Sequence, residues 1–334
     1  MSTYLLLLVA LAIILLGAEV FTNGIEWFGR KLNLSDGAVG SVLAAVGTAL
    51  PETMIPIIAI VFGSKEAGHE IGIGAILGAP FMLATLAFFI AGVTTLLNRS
   101  KRPDFPIMNV DITVLKRDQE FFLIVYSIAI LSAFLGSHIL KLVVAVGLVL
   151  AYAVYVLQVL RSEGANSCNI DEMSPCYFAK KSEDPHLAII IIQVAFALLL
   201  IVLGADIFVN KIQIISNQLG LSPFIMSLII APIATELPEK FNSIIWILKG
   251  KDTLAIGNIT GAMVFQSSII PAIGILLTEW KLTQGAMISA ALAILSAGAI
   301  YIQVRYQKKL TPYTLIFGGA FYLIFILAIL KGYV

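Results

Sequence analysis

Charge is scarce in this chain. Of 334 residues only 12% are Asp, Glu, Lys or Arg, about half the share of an ordinary soluble domain, while 59% are hydrophobic. A water-soluble globule is thereby excluded. Lys and Arg number 21 against 20 Asp and Glu, a net charge of +1, so no basic field exists to hold nucleic acid and no acidic tail is present. Histidine is limited to His69, His138 and His186, all in predicted loops, which argues against a histidine proton relay within a membrane. The two cysteines, Cys168 and Cys176, share one polar loop and are too few for a disulfide framework. They read either as free thiols or as a metal clip with Asp171 and Glu172. Zinc-protease H-E-x-x-H is missing, and Gly204-Ala205-Asp206 has no second half of the kind an intramembrane aspartyl protease needs. No enzyme and no cofactor are expected.

Apolar runs of membrane-crossing length fill the sequence instead. The first, from Tyr4 to Leu16, has no basic leader or A-x-A-type cleavage site and runs on into Gly17-Ala18-Glu19, so it reads as a membrane helix rather than a removable signal. Hydropathy and breakers predict spans near 3–28, 37–62, 72–97, 121–137, 139–160, 187–213, 223–248, 254–277, 284–303 and 312–330. The expected fold is an all-α polytopic membrane protein of about ten transmembrane helices in two inverted five-helix repeats: residues 1–160, a cytoplasmic linker loop at 161–186, and residues 187–334. Basic residues concentrate in alternate loops, at Arg30-Lys31, Arg99 to Arg117, Arg161 to Lys181, Lys249-Lys251 and Arg305 to Lys309. The opposite loops hold little beyond Lys65, Lys141 and Lys281, which predicts both termini outside a cell membrane.

The repeat is visible directly. At an offset of 187 residues Gly17-Ala18-Glu19 falls on Gly204-Ala205-Asp206, Asn23 on Asn210, Leu34-Ser35 on Leu221-Ser222, and Thr48-x-Leu50-Pro51-Glu52 on Thr235-x-Leu237-Pro238-Glu239. Five helices per copy is an odd number, so the second copy enters the membrane from the other side, the architecture of alternating-access transporters with a site near the midplane.

Likeness between the copies peaks at Glu52 and Glu239, each mid-span, where an ionised carboxylate costs at least a few kcal/mol on insertion scales. Each follows a proline that cannot donate to the carbonyl four residues back, freeing Gly47 and Ala234. Carboxylate, threonine hydroxyl and freed carbonyls at one depth make the oxygen-rich set that Ca²⁺ or Na⁺ requires. The plainer alternative is a pair of proline kinks whose glutamates cap freed backbone or pair with each other in protonated form. Small-residue faces at Gly72, Gly74, Gly78 and Ala79, and at Gly257, Gly261 and Ala262, either pack helices closely or line the site. Gln266, with Ser267 and Ser268 beside it, is read as lining the site; Thr85 is its nearest analogue in the first copy. Glu236 has Ala49 at its matched position and either adds a third carboxylate or faces an outer vestibule. Glu19 and Asp206 either line an ion route or pair with Asn23, Asn210 and neighbouring helices.

These motifs resemble the calcium/cation antiporter superfamily, the sodium/calcium exchangers and their relatives. Their repeats carry G-[ST]-S-x-P-E in the second and seventh helices and G-N-x-x-G-S in the third and eighth. Here the first pair reads Gly47-Thr48-Ala49-Leu50-Pro51-Glu52 and Ala234-Thr235-Glu236-Leu237-Pro238-Glu239, and the second Gly74-Ala75-Ile76-Leu77-Gly78-Ala79 and Gly257-Asn258-Ile259-Thr260-Gly261-Ala262. The resemblance implies calcium ligands at the side chains of Glu52, Glu239, Thr48 and Thr235 and at the carbonyls of Ala45 and Pro232. Departures are Ala79 and Ala262 for the motif serines, Leu83 for the asparagine of the third helix, and Gln266 for the acid of the eighth, which is similar to the proton-coupled exchangers. Two ionised glutamates form a site of about −2 that crosses a low-dielectric barrier only when neutralised by one Ca²⁺, by Na⁺ or by H⁺, so competition enforces exchange. The expected function is Ca²⁺/Na⁺ antiport, with H⁺-coupled exchange as the alternative and a cation channel as a remote one. The partners are inorganic cations and the lipid bilayer.

Overall fold

A computed structural model of the chain describes residues 2–31, 50–162, 174–180, 182 and 184–334. Among them the structure is all helical. The helices are α1 (Thr3–Lys31), α2 (Leu50–Phe62), α3 (Lys65–Met82), α4 (Phe88–Leu97), α5 (Ile112–Leu131), α6 (His138–Ser162), α7 (Leu187–Leu219), α8 (Pro223–Leu248), α9 (Asp252–Leu277), α10 (Gln284–Gln307) and α11 (Pro312–Leu330). A π-helical turn, Leu83–Ala87, joins α3 to α4 without a break in the rod. Among the described residues seven spans are long and apolar enough to cross a membrane, counting Glu66–Leu97 as one. Their outward faces stay apolar: on α6, Ile139, Val143, Val146 and Leu150 are all exposed, which suits lipid rather than water.

The helices gather into two compact units, and neither coincides with a sequence repeat. One comprises residues 1–69 and 154–221, the other 70–153 and 222–334. In the first unit, α1 and α7 pack closely along their length. A Cβ on Gly17 would stand 2.8 Å from Ile201 Cγ1 and 3.2 Å from the Ala197 carbonyl; one on Gly204 would stand 2.7 Å from Ile14 Cγ1 and 3.1 Å from the Ala10 carbonyl. Gly17 and Gly204, Ile14 and Ile201, and Ala10 and Ala197 are all 187 residues apart. The same contact is therefore made twice, by matched residues of an antiparallel pair. Only glycine permits such backbone approach, which is what holds helices together where lipid is as apolar as leucine.

In the second unit, polar pairs set the register. Helices α5 and α9 run side by side in the same direction: the Asp111 N–H donates to Thr253 Oγ1 (3.1 Å), and Thr260 Oγ1 donates to Asp118 Oδ2 (2.7 Å). The fourth helix thus differs from the predicted 121–137. It begins at Ile112, N-capped by Asp111, and ends at Leu131. The charges Lys116, Arg117, Asp118 and Glu120 depress hydropathy there, but Asp118 is buried by its partner on α9. Lys141, predicted to lie in a loop, is 7% exposed near the start of α6 and donates to the carbonyls of Glu279 (2.6 Å) and Trp280 (3.3 Å). Trp280 is itself fully buried at φ 46, its indole N–H donating to the Ala129 carbonyl at 2.9 Å.

The strongest tie is Arg102 to Asp252. Both guanidinium Nη atoms lie 2.7 Å from the carboxylate oxygens, Nη2 also donates to the Ile247 carbonyl, and the Asn109 N–H donates to Oδ2. Asp252 is 1% exposed. Breaking such a pair strands a buried charge, at about 3–5 kcal/mol, whereas neutralising both partners costs far less. Arg102→Met should therefore lower the thermal midpoint of the detergent-purified protein more than Arg102→Met/Asp252→Asn does. Equal losses in the two variants would show that the pair is not charge-coupled.

Candidate functional site

The second unit holds one part of the predicted site, on α8 and α9. Ser222 caps α8 by accepting from the Ile225 N–H, and Pro223 opens it, so the helix starts where the sequence signals a start. It then runs as a helix through Pro232 and Pro238. Its closeness to α3 is set by glycine: a Cβ on Gly74 would meet the Phe224 carbonyl at 2.5 Å, and one on Gly78 would meet the Leu228 carbonyl at 2.3 Å and Pro232 Cγ at 2.7 Å. For these two glycines the reading as a close helix contact holds.

Thr235 and Glu236 fall at the midpoint of α8 and are buried, 3% and 2% exposed. The Thr235 hydroxyl donates to the Ala231 carbonyl of its own helix at 3.1 Å. Glu236 reaches outward from α8 instead. Its Oε1 accepts from Gln266 Nε2 of α9 at 3.0 Å, and its Oε2 stands 3.4 Å from the ammonium of Lys240, one turn on and 3% exposed. Gln266, 2% exposed, spends its amide N–H on that contact, while its Oε1 is buried with no hydrogen-bond partner among the described residues. Ser267 and Ser268 are satisfied within α9 by donating to the Val264 carbonyl. Thr85 likewise donates to the Phe81 carbonyl of its own helix. Glu239 lies on α8, one turn after Thr235, with its side chain outside the described set.

In the first unit, Glu52 lies on α2, 6% exposed, on a helix that packs against α7. Thr48 and Ala45 are outside the described residues, as are Cys168, Asp171 and Glu172. Among the described residues no three His, Cys, Asp or Glu side chains form a metal-holding group.

Glu19 meets Tyr177 of the linker, where the sequence offered an ion route or a pair with Asn23 and neighbouring helices. The described part of the linker docks on α1 and α7 through a buried amide exchange. Asn23 Nδ2 donates to the carbonyls of Ser174 and Pro175, Asn23 Oδ1 accepts from the Tyr177 N–H, and Gln193 Nε2 donates to Asn23 Oδ1 and the Val20 carbonyl. Trp27 Nε1 donates to the Ser174 carbonyl, and the Cys176 thiol, fully buried, donates to Gln193 Oε1. Tyr177 donates its hydroxyl proton to Glu19 at 2.8 Å, and that bond holds the phenol above its ordinary value, with burial adding to it. Asp206, by contrast, is exposed, and Asn210 donates to its backbone carbonyl.

Sequence comparison decides the family. The model of the sodium/calcium exchanger protein family matches residues 2–161 and 189–331, leaving only the linker and the ends uncovered. The chain belongs to that family, and so to the calcium/cation antiporters. Among curated relatives it is 27% identical over 296 residues to the putative antiporter CaxA of Alkalimonas amylolytica, covering 86% of this chain and 87% of that one. It is 24% identical over 284 residues to the inner membrane protein YrbG of Escherichia coli (strain K12), covering 83% and 80%. Among solved structures, the H⁺/Ca²⁺ exchanger CAX superposes at TM-score 0.74 with 14% identity, over 99% of this chain and 82% of that one. The sodium-calcium exchanger NCX_Mj superposes at TM-score 0.56 with 19% identity, over 98% and 97%. At these identities the superpositions speak for the fold. The family is one of transporters, and the chain is an integral, multi-pass membrane protein.

Sequence reasoning missed Lys240. The available signal was its i,i+4 spacing from Glu236 on a helix. The docked linker yields a prediction. In a Cys168→Ser background, Cys176 should resist maleimide, and Asn23→Ala, which removes three hydrogen bonds to the segment, should speed labelling about tenfold or more. Rapid labelling without the Asn23 change would show that the segment is not docked.

Proposed function

We propose that the protein is a secondary active antiporter that exchanges Ca²⁺ for Na⁺ across the cell membrane by alternating access, with Glu52 and Glu239 as the carboxylates that carry the cation. Ten spans in two inverted repeats, with both termini outside, are the topology of this reading. The observation that carries it is a carboxylate, Glu52, 6% exposed on an apolar helix of a chain in this family, with a second glutamate at the matched position of α8. Thr48 and Thr235 and the carbonyls of Ala45 and Pro232 supply the remaining oxygens. Thr235 fits this role, since its hydroxyl gives its proton to the Ala231 carbonyl and keeps its lone pairs for a cation. The naming of one relative as a putative antiporter, and of structural neighbours as H⁺/Ca²⁺ and sodium-calcium exchangers, supports the same class.

The exchange follows from charge. A pair of carboxylates at membrane depth is costly to move unladen and cheap to move neutralised, so the barrier itself couples the two ions. The matched Gly17 and Gly204 contact makes α1 and α7 one stiff pair, the element suited to sliding as a body.

H⁺ in place of Na⁺ is the second reading, and Gln266 favours it. A neutral amide already engaged with Glu236 offers a monovalent cation less than an acid at that position would.

In proteoliposomes with an outward Na⁺ gradient, wild type should accumulate ⁴⁵Ca²⁺, while Glu52→Gln and Glu239→Gln should each fall to the protein-free background. A pH gradient imposed alone separates the two coupling ions. Wild-type flux in either variant would sink the two-glutamate assignment, and flux without trans-stimulation would indicate a channel.

A further inference from the structure

Three polar side chains at the core of the second unit differ in kind from the residues at the matched positions of the first repeat. Glu236 and Lys240 match Ala49 and Thr53 at the 187-residue offset, and Gln266 matches Leu83 in the alignment of the glycine motifs. The three are in contact: Gln266 Nε2 lies 3.0 Å from Glu236 Oε1, and Lys240 Nζ lies 3.4 Å from Glu236 Oε2. All are at most 3% exposed, at the middle of helices in a membrane protein.

We propose that Lys240 is a resident cation, a tethered +1 charge that neutralises Glu236 and closes it to transported ions. The proposal rests on the two-glutamate reading and adds to it a determinant of which ions the site takes. Charge arithmetic leads to it. A third bare carboxylate would take the site from about −2 to −3, and one Ca²⁺ would then leave a residual charge that a low-dielectric barrier penalises as it does an empty site. With Lys240 the added pair contributes zero, so the site keeps the charge of its two symmetric carboxylates. Geometry agrees, because both oxygens of Glu236 face a donor of the chain itself, an amide on one side and an ammonium on the other. The span of a lysine is also the right length for this work, since on a helix the i+4 position places its ammonium beside the carboxylate one turn back. What the ammonium occupies is a place that a small monovalent cation would otherwise fill.

The test is thermal melting in detergent, which needs no transport. Lys240→Met leaves Glu236 buried and unneutralised. It should acquire a saturable stabilisation by Na⁺ or K⁺ over choline, a rise of about 5 °C at a hundredfold excess over the dissociation constant, beyond any response of wild type. Lys240→Arg keeps the charge and should show no such gain, and Glu236→Gln/Lys240→Met, again neutral, should lose it. An identical cation response in Lys240→Met, the double variant and wild type would overturn the proposal. Should Lys240→Met not survive purification, Glu236→Gln reads the pairing from the other side. Its surplus positive charge should raise the Ca²⁺ concentration for half-maximal stabilisation about tenfold, restored by the double variant, and an unchanged Ca²⁺ response would overturn the pairing. If wild type melts with the expected pattern but shows no coupled flux, exchange fails and the resident cation stands; coupled flux with the wrong melting pattern leaves exchange standing alone.

Discussion

An ionised side chain inside an apolar helix bundle has no water to turn to, and this constraint shapes the second unit more than any other. Among the described residues, each buried charge there has an opposite charge or aimed dipoles as its partner. Asp252 has the guanidinium of Arg102 and the Asn109 N–H, Lys141 has the carbonyls of Glu279 and Trp280, Asp118 has the Thr260 hydroxyl, and Glu236 has Gln266 and Lys240. Most of these partners are far apart in sequence. They need not add net stability, since apolar residues of equal volume would often do as well. What they add is register. Asp111 to Thr253 and Asp118 to Thr260 are two contacts seven residues apart on both helices, so a slide of α5 along α9 by one residue would strand a buried carboxylate.

The first unit is held by different means. Where α1 crosses α7, small residues let the backbones touch, and the same residues do so twice because the two helices derive from matched stretches of sequence. Toward one end, Asn23 and Gln193 satisfy the backbone of the described linker segment. That segment has a proline and a run of exposed main-chain groups, and it could not lie on an apolar helix pair unless something donated to its carbonyls. Asn23 and Trp27 donate to its carbonyls, while Asn23 and Gln193 accept from its N–H groups. The described part of the linker is thus packed on α1 and on α7, the helix it leads into.

Hydropathy and breakers located most helices to within a few residues, because long apolar runs bounded by Gly, Pro and charge leave little choice. They failed at α5, and the reason is specific. Periodicity treats Lys116 to Glu120 as loop-like, and the partner that makes Asp118 tolerable lies on another helix, 142 residues away. Lys141 was misplaced for the same reason. Internal symmetry singled out Glu52, Glu239 and Thr235 as candidates, since they recur at matched positions of both copies. It was blind to Lys240, because symmetry draws attention to what is shared and this residue occurs in one copy only. The role of Glu236 was open to two readings in the sequence, and neither included a cation from the same helix.

Asymmetry between duplicated halves is itself constrained by the dielectric. If two matched carboxylates carry a divalent ion, as proposed, any further charge beside them changes the net value that must cross the barrier. A new glutamate alone would add −1 and a new lysine alone +1 at membrane depth. The sequence of the second repeat departs from the first by both together, one helical turn apart, with a neutral amide on the carboxylate's remaining oxygen. A change that arrives as a neutral set leaves the charge of the carrier untouched while altering its shape and its donors. Selectivity between monovalent and divalent ions can shift in this way without disturbing the electrostatic balance that makes exchange obligatory.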